Sequence, residues 1–202
     1  MYSALKLFKA NMEEAKNLTL LYEYLEKSIK SPFSFDDLLR AQIVYSVSAF
    51  DKLMHDVIRI GIMEIFTEKR KPTPKYLAES ISTSIYNELI SATVPPKEHI
   101  FEQAIVKKLK TISYQDPEKV AEGLSYIWEE KQKWQKIALK MAIDDKTAKT
   151  TLKLIVDRRN AIVHEADINF LTNHKNSISM TECQSITEFL YRCGEEIVAL
   201  VV

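Results

Sequence analysis

The chain contains only 3 glycines and 6 prolines among 202 residues. Glycine supplies the positive-φ positions of hairpin turns and the close backbone approach of phosphate-binding loops. Its scarcity argues against a β-sandwich, a dinucleotide-binding fold and a P-loop enzyme. No segment alternates apolar and polar residues before a turn dipeptide, as a strand in a hairpin would. The sequence therefore predicts an all-α protein.

Apolar residues recur every three or four positions along the chain, which is the period of an amphipathic helix. This pattern predicts a first helix over most of 3–30, and a second from a capping box at Ser34 to about Thr67. Asp144-Asp145 can cap a further helix near 146–165, and a last helix is expected from Ser179 to the C-terminus. We expect these four helices to form an antiparallel helical bundle.

Residues 72–142 are expected to form a helical insertion within one domain that spans 1–202. Its predicted helices are one capped by Thr73 that continues to Leu89, one around 100–109, one that Asp116-Pro117 opens and that continues to Trp128, and one around Trp134. Residues 166–178 are predicted to form a loop.

Charge and hydropathy limit the possible partners. Lys+Arg and Asp+Glu are equal at 28 each, so any contact with nucleic acid must be local. The most apolar stretch, 41–66, carries charged residues that a bilayer core excludes, and the N-terminus lacks an export signal. Cys183 and Cys193 match no metal-binding spacing and are predicted to be reduced, buried thiols. These features predict a cytoplasmic protein that does not bind a membrane.

Motifs for metals and cofactors are missing from the sequence. It contains no Glu-x-x-His pair, no His-Glu-x-x-His and no Cys-x-x-Cys, the patterns that hold iron or zinc. It also contains no glycine-rich phosphate loop. We therefore expect neither a metal nor another cofactor.

One segment, Asp157–Asp167, concentrates charged residues, an amide and a histidine near a helix C-terminus. On a helix, Asn160 and His164 lie one i,i+4 step apart, and the long side chain of Arg159 reaches the same region. An arginine binds phosphate through a fixed fork of donors, and a histidine exchanges protons near neutrality. Together they suit RNA cleavage without a metal, in which a 2′-hydroxyl attacks the neighbouring phosphate.

The same residues also allow a purely structural interpretation. Cationic side chains near a helix C-terminus interact favourably with the helix dipole, and an arginine this far from a histidine is a common coincidence. An asparagine directly after the arginine makes the coincidence rarer, at about 0.004 occurrences in a chain of this composition. Arg158 fits a looser form of the same spacing, although the Arg-Asn pair favours Arg159.

The run Arg159-Asn160-x-x-x-His164 resembles the catalytic motif of the HEPN superfamily, small helical bundles that include many metal-independent ribonucleases. Over roughly 35–200 the chain also resembles the RiboL-PSP-HEPN branch in the order and spacing of its blocks. These blocks are Leu39–Ala41, Ser46–Arg59, Ser113–Val120, Trp134 and Val156–Asp167. The resemblance implies that Arg159 binds phosphate, that His164 is the acid or base, and that Asn160 orients either of them. Glu165 is a supporting candidate.

Other polar and aromatic residues leave two interpretations open. Asp51, His55 and Arg59 form a stripe on the second helix, which either lines a second wall of the cleft or forms a buried, satisfied polar ladder. The lysines within 107–110 either guide RNA or belong to a solvated helix face. Both tryptophans are expected in the core rather than stacked on bases.

The resemblance also implies a biological role. Members of this branch are associated with prokaryotic defence loci, often near restriction systems, and the superfamily builds its active cleft at a two-fold dimer interface. We therefore expect a homodimer that cleaves RNA as a toxin or defence effector, with an antitoxin or restriction-system protein as partner. The alternative is a catalytically silent HEPN dimer that binds nucleotide, RNA or protein and regulates a neighbouring enzyme. A purely structural helical adaptor is a third interpretation.

Overall fold

A computed structural model describes all 202 residues and contains nine helices and one short pair of strands. In chain order the elements are α1 (Tyr2–Ser28), α2 (Asp36–Phe66), α3 (Pro74–Leu77), α4 (Thr83–Ser91), α5 (Lys97–Leu109), α6 (Pro117–Leu124), α7 (Lys133–Lys140), α8 (Asp145–His164), β1 (Ile168–Asn169), β2 (His174–Lys175) and α9 (Met180–Val201). The predicted all-α class is confirmed. None of the helices combines the length and the apolar character that a membrane span requires.

The long helix α2 lies at the centre of the bundle and packs against α1, α8 and α9. It runs in the same direction as α9, because Gln42 bonds to Thr187 near the start of both helices and Leu53 lies beside Gly194 further along. Helix α1 runs the opposite way, since Thr19 near its end bonds to Gln42. Helix α8 ends beside the start of α2, where Arg40 bonds to Asp167 just after α8.

All three glycines lie inside helices, and none has a positive φ. They permit close helix contact instead: a Cβ at Gly194 would lie 2.6 Å from Cε1 of Phe8, and one at Gly61 would lie 2.5 Å from Cγ2 of Ile127. Left-handed backbone is carried by other residues, namely Glu68, Ala142, Ala166, Asp167 and Asn173. Two of these five, Ala166 and Asp167, follow the C-cap residue of α8.

Residues of the predicted insertion, 72–142, and residues of the four long helices share one continuous core. Its 31 buried residues include Ile105, Val120 and Ile137 from the insertion and Phe8, Phe50 and Leu190 from the bundle. Cys183 and Cys193 are buried and unpaired, and burial raises the pKa of both thiols to about 12.

Four predicted helix starts are confirmed by side-chain caps. The side chains of Thr73, Asp116, Asp144 and Ser179 each accept a hydrogen bond from a backbone N–H in the first turn of their helix. The prediction of a capping box at Ser34 is wrong. Its Oγ accepts from the N–H of Asp36 at 3.1 Å, and α2 begins at Asp36 without a side-chain cap.

Three other boundaries differ from the prediction. The helix expected from Thr73 to Leu89 is divided into α3 and α4, because Ser82 starts a new helix by accepting from the N–H of Ile85 at 3.3 Å. Helix α6 stops at Leu124, because the N–H groups of Tyr126 and Ile127 bond to carbonyls three positions back, which gives a tighter turn than that of an α-helix. Within 166–178, the predicted loop contains the antiparallel pair β1–β2.

Candidate active site

Helix α8 carries the predicted catalytic segment at its C-terminal end. Its first turn is held by Asp144, whose Oδ1 accepts from the N–H of Thr147 at 2.8 Å. Ala148, Leu152 and Ile155 are then buried in the interface with α2 and α7. The first three turns of α8 are therefore fixed in the core, and the polar residues that follow lie at the edge of the bundle.

The buried carboxylate of Asp167 holds the end of α8 in place. It has no solvent exposure and accepts from Nε of Arg40 on α2 at 2.6 Å and from Nη1 of Arg158 on α8. The side-chain amide of Asn176 donates to the same carboxylate at 3.1 Å. These residues, referred to below as the Asp167 cluster, join α2, α8 and the base of the β1–β2 hairpin at one point.

The charges around this cluster balance. Arg40 also contacts Asp37 at 3.1 Å, and Asp37 accepts from Lys175 at 2.7 Å. Nε of Arg158 lies 3.6 Å from Oε1 of Glu182 on α9. Burial alone lowers the pKa of Arg40, but hydrogen bonds to its two carboxylates raise that pKa above its ordinary value. With three cations and three carboxylates, the cluster and its neighbours leave no net charge for a ligand.

Arg159 lies outside this network, although it directly follows Arg158. Its Nη1 donates to Oδ1 of Asn160 at 2.8 Å, and its Nε is buried without any hydrogen-bond partner. The other five arginines each bond to a carboxylate or to a backbone carbonyl; they are Arg40, Arg59, Arg70, Arg158 and Arg192. Arg159 is therefore the one arginine with neither a carboxylate nor a backbone carbonyl as partner, and its Nη2 makes no hydrogen bond within the chain.

His164 is the last residue of α8, is exposed, and its imidazole makes no hydrogen bond to the rest of the protein. It lies about 6 Å along the helix axis from Asn160 and about 7.5 Å from Arg159. Glu165 follows as the exposed C-cap residue. The structure thus brings Arg159 and Asn160 into contact and leaves the imidazole of His164 exposed at the same end of the helix.

The polar stripe on α2 faces the insertion. Asp51 accepts from the N–H of Tyr114 at 2.6 Å, and the ring of His55 packs edge-on against Tyr114 with centroids 4.9 Å apart. Arg59 forms an ion pair with Glu102 on α5. Asp51 lies about 16 Å along α2 from Arg40 and the stripe continues away from it. Within one chain, the stripe therefore does not reach the end of α8.

The remaining sequence candidates lie in the insertion, away from the end of α8. Lys108 forms an ion pair with Glu79, while its neighbours Lys107 and Lys110 are exposed. Trp134 is buried as predicted, and its Nε1 donates to the carbonyl of Pro117 at 2.7 Å. No three His, Cys, Asp or Glu side chains are grouped so that they could hold a metal ion.

Sequence reasoning missed the partnership of Arg40 with Asp167. The two residues are 127 positions apart, and helical periodicity carries no information about which distant side chains meet. The one available signal was that each lies in a block that resembles the RiboL-PSP-HEPN branch, Leu39–Ala41 and Val156–Asp167.

Comparison with known families supports that resemblance. The model of the RiboL-PSP-HEPN family matches residues 10–201, so the chain belongs to this family of HEPN domains. Searches of curated proteins and of solved structures each found no significant match. HEPN domains include ribonucleases and nucleotide-binding modules, and the family assignment places the protein within that range.

Replacing Asp167 should destabilise the protein far more than replacing Asp37, the exposed carboxylate that also pairs with Arg40. Asp167→Asn should lower the free energy of unfolding by about 3–5 kcal/mol, because two arginines lose their charge partner in a buried site. Asp37→Asn removes a carboxylate from the same Arg40, but the Asp37 side chain is 72% exposed, so the loss should be below about 1 kcal/mol. Urea unfolding at pH 7 measures both, and equal losses would contradict the assignment of Asp167 as the anchor.

Proposed function

We propose that this protein is an endoribonuclease that cleaves RNA with Arg159 and His164 and requires no metal. The observation that carries the proposal is the separation of two adjacent arginines: Arg158 is neutralised by a buried carboxylate, whereas Arg159 has neither a carboxylate nor a backbone partner. A guanidinium with unused donors, five residues before an exposed histidine, suits a phosphodiester substrate.

The proposed reaction is an internal transfer. The 2′-hydroxyl of one ribose attacks the adjacent phosphorus while the bond to the 5′-oxygen of the next nucleotide breaks. A neutral histidine accepts the proton of the 2′-hydroxyl, and a protonated histidine donates one to the departing 5′-oxygen. The products carry a 2′,3′-cyclic phosphate and a 5′-hydroxyl. Arg159 stabilises the extra charge on the phosphoryl oxygens, and Asn160 orients the guanidinium to which it is bonded.

A homodimer would supply two histidines to one phosphate, one as base and one as acid. The surface beside the end of α8 supports such an assembly. A groove of about 380 Å³ runs between α2 and α8, and Ala41, Val44 and Ile162 form its apolar floor. Tyr45 lines the same groove and is 58% exposed. We propose that a second copy packs here and brings its own Arg159 and His164 to a shared cleft.

The proposed cellular role rests on the resemblance to the RiboL-PSP-HEPN branch, whose members are associated with prokaryotic defence loci. We propose a cytoplasmic toxin or defence effector that is controlled by an antitoxin or a restriction-system partner. Expression of the wild-type chain should then arrest growth, and expression of an inactive variant should not.

The central test is cleavage of single-stranded RNA in the presence of EDTA. His164→Ala should reduce the rate at least about 100-fold, because it removes the proton-transfer group. His99→Ala is the matched control, since His99 is exposed on α5 and should leave the rate unchanged. The product ends, analysed by mass spectrometry, should be cyclic phosphates.

Two outcomes would contradict the proposal. Equal rates for the wild type and His164→Ala would remove His164 from the reaction. RNA binding without cleavage by the wild type would favour the non-catalytic HEPN module instead.

The dimer is tested by charging its proposed interface. Tyr45→Lys should convert a dimer into a monomer in light scattering and lower RNA cleavage in parallel, because a cation is placed in an apolar contact. Tyr86→Lys is the matched control, since Tyr86 on α4 is 54% exposed but distant in sequence from the groove. A monomeric wild-type protein that cleaves RNA fully would overturn the shared cleft.

A further inference from the structure

The hairpin that follows α8 exposes two large apolar side chains at its tip. Phe170 is 85% exposed and Leu171 is 78% exposed, and no aromatic residue of the chain is more exposed than Phe170. They lie in the turn between β1 and β2. Neither residue is part of the hydrophobic core, so core packing does not explain why two large apolar side chains lie at the tip of the hairpin.

Hydrogen bonds hold the turn in a defined shape. Oδ1 of Asn169 accepts from the N–H of Leu171 at 2.9 Å and from that of Thr172 at 3.3 Å. The carbonyl of Asn169 accepts from the N–H of Asn173 at 2.8 Å. The backbone of the turn around Phe170 is therefore held by three hydrogen bonds, which reduces the backbone entropy that is lost when a ligand binds.

The base of the hairpin is anchored to the candidate active site. The N–H of Asn176 donates to the carbonyl of Asp167 at 2.8 Å, and Arg158 donates to the carbonyl of Ser177 at 2.9 Å. Phe170 follows His164 by six residues, so their Cα atoms are at most about 20 Å apart. A strand of RNA bound at His164 can thus extend over the hairpin within a few nucleotides.

The chemistry of the tip matches an unpaired base. Single-stranded RNA is recognised by aromatic rings on which splayed bases stack, whereas the base faces in an A-form duplex are already stacked on neighbouring base pairs. The residues that follow the two apolar side chains are polar or basic, namely Thr172, Asn173, His174 and Lys175, whereas Ile168 before them is 44% exposed. An exposed ring on this narrow and mostly polar hairpin resembles a stacking site more than the broad apolar centre of a protein interface.

We infer that Phe170, supported by Leu171, stacks on an unpaired base of single-stranded RNA whose phosphate lies at Arg159 and His164. This inference rests on the proposed ribonuclease function and adds a preference for single-stranded over duplex RNA. Phe170 is a specificity-determining residue, because it touches the substrate away from the bond that breaks.

The test compares single-stranded RNA binding and cleavage by ring variants. Phe170→Ala should weaken binding, measured by fluorescence anisotropy, and raise KM for cleavage by about tenfold, with kcat and thermal stability unchanged. Phe170→Tyr keeps the ring and should retain wild-type affinity. Tyr2→Ala is the matched control, since Tyr2 is 77% exposed at the start of α1 and should change neither quantity. Duplex RNA of the same sequence should bind more weakly and be insensitive to Phe170→Ala.

The possible failures are distinguishable. If Phe170→Ala binds and cleaves single-stranded RNA like the wild type while His164→Ala is inactive, the stacking site is overturned and the ribonuclease stands. If His164→Ala remains active, the proposed function fails. If Phe170→Ala dissociates the dimer in light scattering without changing the affinity of the remaining dimer for RNA, the tip binds protein and the inference is overturned.

Discussion

The arrangement of the candidate site depends on the buried carboxylate of Asp167. This residue and Ala166 before it have left-handed backbone, with φ of 58° and 51°. That conformation is unfavourable by about 1 kcal/mol or more for a residue with a side chain, although aspartate tolerates it better than most. The bonds from Arg40, Arg158 and Asn176 offset this strain and turn the chain sharply from α8 into the hairpin.

The same carboxylate gives two adjacent arginines different chemistry. Without Asp167, Arg158 and Arg159 would both be cations at a helix end, and the spacing to His164 alone would not separate them. Because Asp167 neutralises Arg158, Arg159 is the residue of this pair whose guanidinium we propose binds phosphate. This reconciles the net neutrality of the chain with a nucleic-acid substrate, since the proposed contact needs only a few cations, doubled by a second copy.

Much of the fold could be predicted from local rules. Apolar periodicity located the four long helices, and Thr73, Asp116, Asp144 and Ser179 each act as the caps that their chemistry indicates. The boundaries that were wrong depend on competition between nearby options, as where Ser82 starts a helix inside an apolar pattern. Scarce glycine correctly indicated helices, but it did not exclude tight turns.

The candidate site could be predicted only in part. The sequence placed Arg159, Asn160 and His164 together because neighbours on one helix are fixed by its geometry. It left Arg158 as an alternative, and it offered no means of pairing Arg40 with a carboxylate 127 positions away. The sequence predicted only a loop over 166–178, because the exposure of Phe170 depends on the tertiary structure and not on local patterns.

One comparison tests the account most directly: RNA cleavage and urea unfolding of Arg158→Ala beside Arg159→Ala. We expect Arg159→Ala to retain wild-type stability and to lose cleavage by about 100-fold or more, because it removes the group that stabilises the phosphoryl charge. Arg158→Ala should instead lower the free energy of unfolding by about 3–5 kcal/mol, since it breaks a buried ion pair. A stable Arg158→Ala variant that cannot cleave RNA, beside a fully active Arg159→Ala, would contradict the account.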